Sequence, residues 1–286
     1  MERHAVTTDV PALARLQQRA LIMAVVGLVA GGAGAVLNPD QFFRSWLVGF
    51  MFCLALTTGS LALLMLQHLS GGQWGLLGRR IFEAASRNLP VVMLFFLPLL
   101  FRMPSVYHWA APGAMDHDPI LQAKAGYLNV PFFIGRAILY FTFWLVCTFL
   151  LSKYSAAQDR GEVGIDPADT RRARVVSAPG LLVYALTISG AAIDWVMSIN
   201  AHWYSTIFGM LLMVGQGLTA FAFVIAMLAM LVKSEPLASY MTSRHFHDLG
   251  KLMFAFVMLW AYLSFSQYLI IWGANLPEEI PWYLER

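Results

Sequence analysis

The sequence predicts an all-α polytopic transmembrane helix bundle of about seven spans, forming a single integral membrane domain over the whole chain. Three observations carry this. Seven apolar runs of near-membrane length punctuate the 286 residues, the composition is 59% hydrophobic and only 12% charged, and Lys and Arg fall mostly in alternate connections. A mean hydropathy of +0.63 leaves too little polar surface for a water-soluble globule of this size. Lipid cannot satisfy backbone N–H and C=O groups, so each run closes its own hydrogen bonds as a helix. The runs lack the alternating polarity of barrel strands.

The spans are read at about residues 17–37, 45–69, 88–103, 131–152, 178–199, 205–232 and 250–272. In the first, Arg15 and Arg19 precede an apolar stretch ending in small residues around Ala33–Ala35, a pattern shared with signal peptides. The run is longer than a signal core and six further spans follow, which favours a retained helix. Its Gly27 and Gly31 have the small-xxx-small spacing of close helix packing. Gly49 and Gly59 in the second span, and Gly209, Gly215 and Gly217 in the sixth, have the same use. Only the third span is read as broken, by Pro90 and Pro98.

The longest connection beyond the third span, Pro104 to Pro131, carries Tyr107, His108, Trp109, Asp116, His117 and Asp118. Its Pro and Gly content argues against a separate domain. The Lys153–Ser177 connection is more charged and reads as a flexible hairpin, with Gly161, Gly164 and Pro167. Spans five and six are joined by a few residues around Asn200–Tyr204, which makes them antiparallel neighbours. Trp195, Trp203 and Tyr204 there read as an aromatic belt.

An inside N-terminus puts Arg3, Arg15, Arg19, Arg79, Arg80, Arg87, Lys153, Arg160, Arg171, Arg172, Arg174, Lys233, Arg244 and Lys251 on the cytoplasmic side. Arg44, Arg102, Lys124 and Arg286 stay outside, and Arg136 lies within span four. The net charge of +3 thus reflects topology and not nucleic-acid affinity.

Cys53 and Cys147 sit mid-span with no second sulfur or histidine at ligand spacing, so both read as packing residues. Six of the seven histidines, His4, His108, His117, His202, His245 and His247, read as terminal or loop residues. Only His68 lies near a helix end. A dihaem cytochrome needs facing pairs inside the bilayer, and the sequence offers none; the chain is expected to bind no cofactor or metal of its own.

Ionisable groups in or near spans are the candidate sites, because each costs about 2.5–3.5 kcal/mol to insert at a helix centre. Asp194 lies about five residues before the outer end of span five, and Arg136 about five residues inside the same end of span four. At about 1.5 Å per residue both sit roughly 7–8 Å below one surface, where they can pair. Such a pair either fixes helix register or serves as a proton or quinol-hydroxyl acceptor, and His202 extends the polar tract outward. A second group gathers at the inner face: His68 after span two, Glu83 and Arg87 before span three, and His247, Asp248 and Lys251 at the start of span seven. Snorkelling accounts for Lys251 and the arginines, leaving His68 and Asp248 as proton-entry candidates. Between the faces, neutral side chains such as Thr58, Ser60, Thr142, Thr187, Gln216, Thr219, Tyr262, Ser264 and Gln267 are available to a proton route.

Three stretches resemble a known family: DWVMSINAHWYSTIFG (194–209), DLGKLMFAFVMLWAYLSFSQYLIIW (248–272) with the tail NLPEEIPWYLER (275–286), and FRSWLVGFMFCLALTTGSLALLMLQHLSGG (43–72). They are similar to the ActF-type membrane subunit of alternative complex III, itself related in fold to NrfD and polysulfide-reductase membrane anchors, and the resemblance covers nearly the whole chain. It implies a non-redox subunit of a respiratory or photosynthetic quinol:cytochrome c (electron-acceptor) oxidoreductase in the bacterial inner membrane. Haem c and iron–sulfur clusters then belong to other subunits, a periplasmic iron–sulfur protein and multihaem cytochromes c. Quinol is the substrate, oxidised at a companion ActC-type subunit. Asp194, His68 and Asp248, in the matching stretches, inherit an implied role in proton translocation. The family has about ten spans in two four-helix bundles plus peripheral helices. Seven spans therefore read as an incomplete NrfD-like pair of bundles, with a C-terminal truncation expected.

The alternatives are a direct quinol-binding subunit, in which Asp194 or His68 takes a quinol proton, and a secondary transporter. The latter calls for repeated broken helices around a polar midplane site, and only span three is read as interrupted.

Overall fold

The computed structural model describes residues 11–72, 74–116, 118–161, 170–235 and 237–284, with side chains from residue 13 onward. The expectations involving Arg3, His4, His117, Gly164, Pro167 and Arg286 lie outside the described residues. All regular structure among the described residues is helical. In chain order the helices are α1 (Pro11–Leu37), α2 (Pro39–Ser70), α3 (Arg79–Ser86), α4 (Leu89–Phe101), α5 (Met103–Val106), α6 (Pro119–Lys124), α7 (Val130–Asp159), α8 (Arg171–Trp195), α9 (Phe208–Leu231), α10 (Leu237–Tyr240), α11 (Ser243–Ala274) and α12 (Pro281–Leu284). Seven segments are long and apolar enough to cross a membrane: α1, α2, α3 with α4, α7, α8 extended to Asn200, α9 and α11. This is an all-α polytopic bundle and fits a multi-pass membrane protein.

Several helices outrun the apolar windows that announce them. α7 continues to Asp159, α8 starts at Arg171 and α11 at Ser243, so most of the expected Lys153–Ser177 hairpin is helix. Hydropathy falls where a helix leaves lipid, but Lys, Arg, Gln and Ala remain good helix formers in water. At 32 residues, α2 and α11 are each about 48 Å long, well beyond a hydrocarbon core of about 30 Å.

Local chemistry sets the ends. Asn38 Oδ1 accepts the Gln41 N–H to cap α2, and Asn129 Oδ1 accepts the Phe132 N–H to cap α7 at 2.9 Å. The third span is interrupted between Ser86 and Leu89. Pro90 lacks the N–H that would bond Ser86 and crowds that carbonyl, which separates α3 from α4. Pro98 and Pro179 are absorbed within α4 and α8. α11 starts with a capping box in which His245, an expected loop residue, takes the usual Glu position, and it stops at Asn275 in the left-handed conformation.

α2 is the hub, packing on α3, α4, α8 and α9, with α1 along its flank. α7 packs on α8 and also touches α3 and α4, so α2, α3 with α4, α7 and α8 form a closed four-helix ring. α9 lies across α2 and α8, and α11 leans mainly on α9. Of the expected close-contact glycines, Gly59 abuts the Gln216 backbone, Gly209 abuts Ser189 and Gly217 abuts Phe256. Gly27 and Gly49 face open space.

One end of the bundle is basic, carrying Arg79, Arg80, Arg87, Arg171, Arg172, Arg174 and Lys251. At the opposite end the long 102–129 connection folds down as a cap. Tyr107, Trp109 and Leu121 are buried beneath it, and Arg44 donates to Ser105 O from α2.

Candidate functional site

The two most deeply buried acids of the four-helix ring occupy its two ends. Near the capped end, Asp194 in the last turn of α8 is fully buried, and Arg136 in the second turn of α7 faces it. Arg136 Nε donates to Oδ2 at 2.8 Å and Nη2 to Oδ1 at 2.9 Å, a bidentate fork. Tyr140 Oη adds a third donor to Oδ2 at 3.0 Å. The remaining Arg136 Nη1 donates to Tyr127 O at 3.1 Å. The guanidinium lies 3.9 Å from the Tyr127 ring centre and 4.3 Å from that of Phe132, in cation–π range. Every polar group of the pair is therefore engaged, as low-dielectric burial requires.

Tyr140 was not among the sequence candidates, although it lies four residues after Arg136 and hence on the same helix face. Gly190 of α8 leaves room for its hydroxyl; a Cβ there would collide with Tyr140 Oη. Trp195, expected in an interfacial belt, is instead fully buried, packed among Phe50, Phe96, Tyr140, Phe141 and Trp144. Trp203 is buried too, stacked on Trp282 at 3.9 Å. Tyr107 of the cap reaches Trp195, and Trp282 of α12 covers Trp203, so both rings meet protein, whereas Tyr204 is 49% exposed.

In that cap, burial and then the Asp194 charge push the Tyr107 phenol up, so it stays protonated and donates to Trp195 O at 3.1 Å. Tyr127, next to Arg136, is pushed up by burial, then by hydrogen bonding to Asp194 and by its charge. His202, an expected partner in the Asp194 tract, bonds Asp118 Oδ2 at 2.6 Å instead. It makes no bond to Asp194 among the described residues. Desolvation pulls Asp118 up, but the Leu121 N–H, His202 and the Ile120 N–H outweigh it and hold the carboxyl below its usual range.

At the basic end Glu83 of α3 is 3% exposed. It accepts from Arg80 at 3.2 Å, from Arg87, and from Ser155 of α7 at 2.7 Å. Arg80 also pairs with Asp159, and Arg87 donates to Ser152. The i−3 and i+4 spacing of the arginines was readable in sequence; Ser155 was not. His68 sets its ring edge-on to Tyr154, 6.5 Å between centres, and makes no hydrogen bond among the described residues. The expected inner-face group is divided: His247, Asp248 and Lys251 sit on α11, which leans on α9, and none bonds His68 or Glu83 among the described residues. The six positions were close in predicted height, but height says nothing about which helices adjoin.

Between the two acids, Trp144 Nε1 donates to Thr187 Oγ1 at 3.0 Å, and Gln216 Oε1 accepts from Thr58 at 3.0 Å and Tyr184 at 2.7 Å. Gln216 Nε2, Ser60 Oγ, Thr148 Oγ1 and Ser177 Oγ are buried without a protein partner, polar atoms of the kind that hold internal water. Thr142 and Tyr262 face outward. Among the described residues no three His, Cys, Asp or Glu side chains converge as a metal site. No protein-family model matches the chain, and no curated protein matches it.

Proposed function

We propose that this chain is the non-redox, ActF-type membrane subunit of a quinol:electron-acceptor oxidoreductase in a bacterial cytoplasmic membrane, docking a quinol-oxidising companion subunit and conducting protons. In this reading the N-terminus and basic end face the cytoplasm, as the positive-inside rule favours. Haem and iron–sulfur centres belong to the companion and periplasmic subunits.

The observation that carries it is the pair of buried acids, Asp194 and Glu83, at opposite ends of one four-helix ring. Their hydrogen-bonding partners Tyr140 and Ser155 stand fifteen positions apart on α7, about 22 Å at 1.5 Å per residue. Thr187, Tyr184, Gln216, Thr58 and the hydroxyls of Ser60 and Thr148, which lack a protein partner, lie at intermediate heights, and Ser177 lies near the basic end. With internal water they supply donors and acceptors for a proton relay. Buried intramembrane carboxylates are costly, and proton pathways are a recurrent reason for keeping them.

The test is proton translocation per electron in the reconstituted complex. Glu83→Gln removes the basic-end carboxylate while its arginines still reach water, so assembly is expected to survive and the proton-to-electron ratio to fall. An unchanged ratio removes the bundle from proton transfer.

A second reading, direct quinol binding, draws on a mostly apolar cavity of about 250 Å³ beside the Asp194 site, with Tyr127, Ile193, Ser198 and Trp203 in its walls. A photoreactive quinone that labels only the companion subunit counts against it.

A further inference from the structure

A cavity of about 200 Å³ opens at the basic end, where the end of α2, the start of α3, the end of α7 and the start of α8 meet. Gln67, His68, Arg79, Gln158, Thr170 and Arg174 are among its walls, and no carboxylate lines it among the described residues. The described acids nearest in sequence are engaged elsewhere, Asp159 by Arg80 and Glu83 by Arg80 and Arg87. The Arg79 side chain donates from Nη2 to Gln158 Oε1 at 2.9 Å, and its other donors are unused among the described residues. The Arg174 side chain makes no hydrogen bond or ion pair among the described residues, its backbone N–H alone donating to Thr170 O. α3 and α8 both begin at this cavity without a side-chain cap, which adds the positive ends of two helix dipoles.

A second observation narrows the ligand. Gln67 is only 6% exposed. Its Nε2 donates to Gly72 O at 3.1 Å, while its Oε1 is buried without any donor. The cavity thus presents two guanidinium groups for an anion, and Gln67 in its wall carries an acceptor that lacks a donor. Its wall includes Leu76, 60% exposed, and Leu66 and Leu69 are exposed on the adjoining turns of α2, apolar surface at the level where acyl chains begin.

We propose that this cavity binds a phosphate ester carrying a free hydroxyl, presented by an anionic phospholipid of phosphatidylglycerol type. The phosphate lies between Arg79 and Arg174, and the glycerol hydroxyl donates to Gln67 Oε1. Basic pockets between transmembrane helices are suited to such headgroups, and guanidinium matches phosphate geometry better than ammonium does.

The test uses the full chain in phosphatidylcholine nanodiscs containing a minority of phosphatidylglycerol, with retained lipid counted by native mass spectrometry. The wild type is expected to retain phosphatidylglycerol over phosphatidylcholine. Arg174→Gln and, separately, Arg79→Gln should lower that retention about fivefold each, whereas Arg172→Gln, exposed on α8 but outside the cavity, should change it less than about twofold. The Arg174 side chain makes no bond among the described residues, so its variant should melt as the wild type does. Displacement by millimolar glycerol 3-phosphate or inorganic phosphate would keep the site but reassign its source to a soluble ester; no displacement assigns the lipid. Equal retention of the two lipids by the wild type, or equal losses in Arg172→Gln and Arg174→Gln, overturns the proposal. So does a preference that emerges only on Asp166→Asn/Asp169→Asn, which would mean that carboxylates of the 162–169 segment hold the cavity.

Discussion

The two buried acids share a chemistry and differ in what surrounds their cations. Arg136, the partner of Asp194, has a side chain only 10% exposed, boxed by Tyr127 and Phe132 and bonded to a backbone carbonyl. Arg80 and Arg87, the partners of Glu83, are 48% and 51% exposed and hold further bonds to Asp159, Ser155 and Ser152. One pair is closed to water and the other opens onto it. An ion pair is hard to break when the surviving charge has nowhere to go, and tolerant when it can be rehydrated.

The largest expected effect follows from that. Asp194→Asn strands the Arg136 guanidinium in the bundle and should cost about 3–5 kcal/mol, read as a marked drop in melting temperature of the purified chain. Asp194→Asn/Arg136→Gln should recover part of it. A single variant that melts like the wild type would mean that Arg136 reaches water, and the contrast between the two ends would vanish.

Next comes Gly190→Ala, which forces Tyr140 away from Asp194. A loss of about 1–3 kcal/mol is expected, partly regained in Gly190→Ala/Tyr140→Phe if displacement of the hydroxyl is the cause. Glu83→Gln should be milder, about 1 kcal/mol, because a neutral hydrogen bond to Ser155 survives and both arginines turn to solvent. A loss as large as that of Asp194→Asn would break the comparison from the other side.

The smallest effect concerns a pair outside the spans, Asp118 with His202. The folded-state pKa of Asp118 is depressed, so its contribution is complete above the ordinary carboxylate value and is lost as pH falls through the lower folded value. Protection factors of the Ile120 and Leu121 amides, with the intrinsic pH dependence of exchange divided out, should fall in that acidic window and stay flat from pH 5 to 8. Asp118→Asn should remove the acid limb.

Much of the candidate site was legible before the fold. Asp194 and Arg136 stand out because charge is rare in apolar runs, and equal depth from one surface made them a pair. Glu83 with Arg80 and Arg87 follows from helical spacing. The third donor, Tyr140, was within reach of the same spacing argument but hidden among many aromatics. Ser155 was not legible, because meeting Glu83 depends on which way α3 turns after Pro90 breaks the third span. His202 went astray for a related reason: a loop residue can reach several partners, and here Asp118, fixed as the cap of α6, is the one it meets.

Hydropathy alone determined seven lipid-length helices, since apolar mass and backbone hydrogen bonding in lipid leave a chain few other options. Charge asymmetry likewise separated a basic end from its opposite. Neighbourhood was decided only by tertiary packing: that α2 is the hub, that Trp195 lies in the core, and that α11 keeps Asp248 and Lys251 away from His68 and Glu83. Helix adjacency depends on side-chain fit between distant segments, exemplified by Gly59 against the Gln216 backbone, and a hydropathy profile along one axis carries no information about rotation or contact around it.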